Sequence, residues 1–183
     1  EMACRLSGLP LTAGGWWFAV GGWVNPSDYC NQLLLASGAT LIEQTPVTEI
    51  RQTEIGWAAY NAHGEIISEG DIVILANATD APQLAEPYSH ALPIRAARGQ
   101  TTVTQSPPSP APNTVVCRNG YWTPSINGLS TCGASFIVDD SNLEMRTIEH
   151  AENLGTIAEM VNCAASALPA ADSATLGGKV GLR

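Results

Sequence analysis

The sequence predicts an α+β fold, and three stretches predict it. Asp71 to Ala81, DIVILANATDA, runs apolar from Ile72 to Ala76 and breaks into small polar residues at Asn77, Ala78 and Thr79. A short apolar run rich in β-branched residues and bounded by turn formers suits a strand buried on both faces, the habit of a parallel strand in a covered sheet. Asn119-Gly120 lies between Val115 to Arg118 and Tyr121 to Thr123, a two-residue hairpin signal. Ser141-x-x-Glu144 reads as a capping box ahead of Ile148, Ala151, Leu154, Ala158, Val161, Ala165 and Leu168, which keep helical spacing as far as Pro169.

Taken in order, GGWWFAVGGWV from Gly14 to Val24 is glycine and aromatic rich and reads as two short strands. Ser27 is placed to cap a helix of about ten residues, with Tyr29 and Leu33, Cys30 and Leu34 at i, i+4 spacing and Gly38 at its close. Ala39 to Glu43 and Thr45 to Ile50 are expected as strands. Ile55 to Asn61 and Glu65 to Glu69 flank Ala62-His63-Gly64 and form a hairpin that leads into the Asp71 strand, with His63 a solvated turn residue.

Beyond Pro82 the pattern becomes antiparallel. Leu92 to Gln105 is a long strand in which Gly99 marks a bulge or the close approach of a ligand, and Arg95 and Arg98 read as surface or strand-pairing residues. Ser106 to Pro112 is a proline-rich loop, Leu129 to Val138 one strand, and Leu176 to Arg183 a final strand. The second half is then an antiparallel sheet with a helix on one face.

Composition narrows the function. With 45% hydrophobic and 14% charged residues the chain is globular and not disordered. A net charge of −9 with only eight Lys and Arg argues against this chain supplying a phosphate-neutralising surface, so any RNA would meet a surface outside it. No apolar run approaches the ~18 residues of a membrane span, and no secretory signal pattern opens the chain. The five cysteines, Cys4, Cys30, Cys117, Cys132 and Cys163, are dispersed with no C-x-x-C pair. They read as reduced, mostly buried thiols of a cytoplasmic protein with no metal site. The Asn77-Ala78-Thr79 sequon is taken as chance. G-x-G-x-x-G, Walker A, H-E-x-x-H and G-x-S-x-G motifs are all missing.

Seven short motifs stand in sequence: GGWVNP (Gly21 to Pro26), TPVTEI (Thr45 to Ile50), VILANA (Val73 to Ala78), LP followed by RGQ (Leu92 to Gln100), GYWTP (Gly120 to Pro124), GAS (Gly133 to Ser135) and VGLR (Val180 to Arg183). In this order and spacing they resemble the FAD-dependent oxidases of the D-amino-acid and glycine oxidase superfamily. GGWVNP with GYWTP is similar to the oxidase half of the bifunctional enzymes that build 5-methylaminomethyl-2-thiouridine in tRNA.

The resemblance implies an FAD-binding α/β domain interleaved with an antiparallel substrate lobe. Residues 1–26 would be substrate-lobe strands, 27–91 the middle part of the FAD domain, and 92–183 the rest of the substrate lobe. Val47, Ala76, Asn77 and Ala78 match positions near the cofactor, Ala78 standing where the family usually has glycine. Tyr121 and Arg183 match positions that hold a substrate carboxylate; Tyr121 also reads as an ordinary hairpin aromatic. The implied activity is oxidative removal of the carboxymethyl group from 5-carboxymethylaminomethyl-2-thiouridine at the wobble position, with tRNA contacts elsewhere and a fused methyltransferase domain upstream.

The family's glycine-rich phosphate fingerprint has no counterpart here, so the chain is expected to be an internal segment that is inactive and holds FAD poorly by itself. Two other readings stand beside it: a glycine- or sarcosine-type amine oxidase, and a non-catalytic interaction module sharing the ancestry.

Overall fold

A computed structural model describes residues 1–105, 111–161 and 168–183. The expected proline-rich loop at 106–110, Cys163 and the helical position Ala165 lie outside the described residues. The chain divides into two units, Glu1–Trp23 with Ala96–Arg183, and Val24–Arg95. The architecture is the mixed one the sequence predicts, with antiparallel sheets and one long helix.

In the first unit the sheet is built on the strand Ala97–Gln105. Taking elements in chain order, α1 is Met2–Ser7, α2 Pro26–Ser37, β1 Glu49–Gln52, β2 Trp57–Tyr60, β3 Ile66–Gly70, α3 Ala81–Ala85, β4 Ala97–Gln105, β5 Val116–Cys117, β6 Tyr121–Trp122, β7 Leu129–Gly133, β8 Ile137–Val138, α4 Thr147–Val161 and β9 Leu176–Leu182. β4 pairs antiparallel with β7 through Thr101–Gln105 and with β8 through Ala97 and Arg98, so these two follow one another along one edge; β9 runs along the other from Arg98 to Thr104. β6 pairs β7, and β5 pairs β6. The side chains of a strand alternate between faces. Arg98, Gln100, Thr102 and Thr104 are buried on the face that packs against α4, while Gly99, Thr101 and Val103 take the opposite face. Leu9, Trp122, Cys132, Leu154, Ile157, Met160 and Val161 form the apolar core between sheet and helix.

Several sequence expectations for this unit are corrected. Residues 14–24 form no strand, because none of their backbone enters a ladder; a turn closed by Gly21 N–H to Phe18 C=O occupies the middle. The Asn119-Gly120 turn is a three-residue connection, since Cys117 pairs with Tyr121. Leu129 to Val138 is two strands, interrupted at 134–136. Ser141 caps nothing: α4 begins at Thr147, and Asp140 and Asn142 side chains instead accept N–H groups of Asn142 and Glu144 in local turns. The buried stripe of α4 is Glu149, His150, Asn153, Leu154, Ile157, Met160 and Val161, leaving Ile148 and Ala151 exposed. A carboxylate with a buried partner has drawn the first turn round. The helix α1 was not anticipated.

In the second unit, β1, β2 and β3 form an antiparallel meander with Ile50 and Ala58 buried. The Asn61–Gly64 turn is held by the Asn61 carboxamide, which accepts the N–H groups of His63 and Glu65, and His63 is exposed as expected. The cap of α2 is Asn25, not Ser27: its side chain accepts N–H groups of Ser27 and Asp28, and Pro26 occupies the first helical position. No residue of α2 is buried. Ala39 to Glu43 is not a strand, and Thr45 to Ile50 contributes only its end, to β1.

The largest correction concerns Ile72 to Ala76. Among the described residues no strand pairs with it, and Ile72 and Ile74 are 80% and 84% exposed. A parallel strand has no hydrogen bonds of its own making; without neighbours on its two edges the same residues remain an unpaired segment.

Candidate functional site

The face of the first unit's sheet opposite α4 carries the two substrate-binding candidates. Tyr121 pairs with Gly133, Gly133 with Thr101, and Thr101 with Lys179, which sets Tyr121, Thr101 and Lys179 on one face. Arg183 follows Lys179 by four residues and its backbone exchanges both hydrogen bonds with Ala97, so it continues the same face. Next to it Gly99 has no side chain, and the Arg183 guanidinium lies against it: Nη2 donates a long, 3.4 Å hydrogen bond to the Ser135 carbonyl, and the group sits 4.9 Å from the Phe136 ring centroid. Among the described residues no carboxylate pairs with Arg183. Tyr121 is half-buried, and that burial raises its phenol above the usual range, with the Arg183 charge opposing. The phenol therefore stays protonated at neutral pH and can donate.

Behind this face lies a polar network that sequence reasoning missed. Arg98, read as a surface or strand-pairing residue, is wholly buried. Its Nε donates to Glu149 Oε1 at 2.9 Å, and its terminal nitrogens donate to the Gln100 side chain and to the carbonyls of Asn142 and Glu144. Glu149 Oε2 accepts from Ser135 Oγ, which itself accepts from the Gln100 N–H at 2.8 Å. Asn153 bridges the Gln100 carbonyl and Thr102, whose hydroxyl also meets His150 Nδ1 at 2.9 Å. Burial lowers the His150 pKa, with Glu149 opposing. Among the described residues every buried side-chain nitrogen and oxygen has a partner. The only sequence signal for this cluster was an arginine beside a glycine in a strand, facing a helix whose polar residues broke its apolar stripe.

The cysteine expectation changes too: of the described thiols only Cys132 is buried, its pKa pushed up to about 12 by burial, while Cys30 and Cys117 are exposed.

In the second unit, Val47, Ala76 and Asn77 come together in a cavity of about 580 Å³, with Val73, Leu75 and Thr48 beside them. Ala78 is not in its lining; it follows directly, in a left-handed conformation with φ 50°. Glycine enters that region freely and alanine does so at a cost of about 1 kcal/mol. Apolar walls, the Asn77 and Gln83 carboxamides, the Asp80 carboxylate and the strand-free backbone of residues 72–76 fit the nucleoside part of a dinucleotide in character and size. The phosphates would need a glycine-rich loop that this sequence does not contain. A separate cavity of about 290 Å³ in the first unit, between α1, the Gly14–Trp17 segment and β5, includes neither Tyr121 nor Arg183. Among the described residues no cluster of metal-ligating side chains occurs and no helix is long and apolar enough to cross a membrane.

Residues 2–183 match the family model described as DAO, FAD dependent oxidoreductase. Over its whole length the chain is 35% identical to the tRNA 5-methylaminomethyl-2-thiouridine biosynthesis bifunctional protein MnmC of Paraburkholderia xenovorans. It is 38% identical, over 96% of its length, to the protein of the same name from Ralstonia nicotianae. In both cases the chain spans 28% of the relative. Among solved structures, the glycine oxidase of Geobacillus kaustophilus aligns over 81% of this chain and 38% of its own, with a TM-score of 0.65 and 20% identity. The iminodiacetate oxidase of Chelativorans sp. BNC1 aligns over 83% and 40%, with a TM-score of 0.59 and 19% identity. At those identities the likeness is one of fold.

Proposed function

Because this chain belongs to the FAD-dependent oxidoreductase family, we propose that its protein oxidises a C–N bond in a carboxylate-bearing secondary amine, the carboxymethylaminomethyl group of a tRNA wobble 2-thiouridine. In this reading the first unit belongs to the substrate lobe and the second to the FAD domain. The observation that carries it is the placement of Tyr121 and Arg183 on one open sheet face, with no carboxylate paired to Arg183 among the described residues. A guanidinium offers a carboxylate two parallel N–H donors, and a phenol held protonated adds a third. Three donors at one end of a short substrate fix where its amine carbon lies. FAD, when bound, supplies the acceptor for two electrons. Val47, Ala76 and Asn77 would hold its adenosine end, with Ala78 setting the turn beside them. The names of the relatives support tRNA as the substrate, and a methyltransferase domain and an RNA-facing surface would lie outside this chain.

The acidity of the chain favours a second reading. Seventeen carboxylates against eight Lys and Arg suit a small zwitterion of the glycine or sarcosine kind better than a polyanion. Turnover by the full protein on tRNA bearing the carboxymethylaminomethyl group, compared with glycine and sarcosine, separates the two. In the same assay Arg183→Ala or Tyr121→Phe is expected to lower kcat/KM tenfold or more, about 1.4 kcal/mol of transition-state binding. Undiminished turnover in both variants would leave the non-catalytic module as the better account.

A further inference from the structure

We infer that Ser135 is a positioning residue, one that links the buried Arg98–Glu149 pair on the helix face to the Arg183 guanidinium on the open face. This rests on the reading of Arg183 as the carboxylate-binding group.

Ser135 is the residue through which the two faces communicate. Its hydroxyl points toward α4, donating to Glu149 Oε2 and accepting the Gln100 N–H, and its own N–H donates to the Gln100 carbonyl at 3.1 Å. Its carbonyl points the other way, to Arg183 Nη2. Three hydrogen bonds therefore fix the peptide that offers Arg183 its only hydrogen-bonded side-chain anchor among the described residues, and the adjoining Phe136 ring supplies the other contact. A guanidinium on an exposed strand end has many rotamers, and ordering it costs conformational entropy. Holding it beforehand removes part of that cost from substrate binding. Gly99 is the other half of the device. A Cβ there would stand 3.2 Å from the Ser135 carbonyl oxygen and 3.5 Å from Arg183 Nη2, so a side chain would push carbonyl and guanidinium apart. Glu149 has a neighbour besides Arg98, Arg146 at 3.6 Å; both arginines lie on Oε1, which leaves Oε2 to Ser135.

The test is calorimetric titration of acetate, the simplest carboxylate, into the flavin-loaded full protein at neutral pH, with thermal unfolding measured alongside. Ser135→Ala and Gly99→Ala are each expected to raise the acetate Kd about tenfold, as Arg183→Ala does; Gly99→Ala keeps the buried network and so tests the effect apart from stability. If Arg183→Ala weakens acetate while both other variants bind it as the parent does, the inference fails and the carboxylate role of Arg183 stands. If Arg183→Ala binds acetate unchanged, the carboxylate reading fails and takes the inference with it. A lower melting temperature with an unaltered Kd assigns Ser135 a structural role only. Should Ser135→Ala not fold, Gly99→Ala decides alone, an unchanged Kd overturning the proposal.

Discussion

The two units spend their polar residues differently. The first holds eight carboxylates and six Lys and Arg, and it buries an ion pair, Arg98 with Glu149, at the centre of a fully bonded network. The second holds nine carboxylates against two arginines, and its Arg51–Glu49 pair lies half in water. Only one of these pairs matters to the fold. An exposed pair contributes little because water and salt screen it, whereas a buried pair leaves an uncompensated charge when one partner goes. The same asymmetry holds for apolar residues: α4 buries Leu154, Ile157, Met160 and Val161, while α2 buries nothing. Order in the first unit rests on contacts within it, and the second unit shows large surfaces that its own residues do not cover.

Removal of the buried carboxylate breaks this contrast most sharply. Glu149→Ala is expected to destabilise the first unit by about 3–5 kcal/mol. Hydrogen exchange should show lost protection in β4 and β7 with β1–β3 unchanged, and Glu49→Ala should move neither. Leucine truncation in the two helices asks the same question of packing: Leu154→Ala should cost about 2–5 kcal/mol and Leu33→Ala within about 0.5, read from urea midpoints. Equal costs would mean that α2 is covered in the whole protein. The smallest effect is a gain. Ala78→Gly relieves the left-handed alanine but adds backbone freedom to the unfolded chain, so a net stabilisation of up to about 1 kcal/mol is expected, visible as a raised Tm.

What the sequence made legible follows the same division. Elements whose determinants are local were readable: the β2–β3 hairpin from Ala62-His63-Gly64 and the body of α2 from its glycine close. Elements whose determinants are distant were not. Ile72 to Ala76 has the composition of a buried parallel strand and none of the neighbours that make one. Ser141 and Glu144 have capping-box spacing, yet the Asn142 and Glu144 carbonyls accept from Arg98, more than forty residues away in sequence, and the helix waits until Thr147. The candidate site divides likewise. Tyr121 and Arg183 could be nominated from motifs and Gly99 from its place in a strand, but the hydrogen bonds that tie Ser135 to Glu149 and to Arg183 are contacts that no spacing announces.

The unpaired segment at Ile72 to Ala76 also bears on how the polypeptide behaves in crowded solution. Its exposed isoleucines and vacant backbone groups make it a template on which another copy could lay a strand. Asp71 and Asp80 bracket it, and the unit around it carries seven excess negative charges. These act as gatekeepers: strands that stack in register must bring like charges together. The acidity of this region, unhelpful for meeting RNA, thus has a colloidal use, and one that weakens as salt shortens the reach of repulsion.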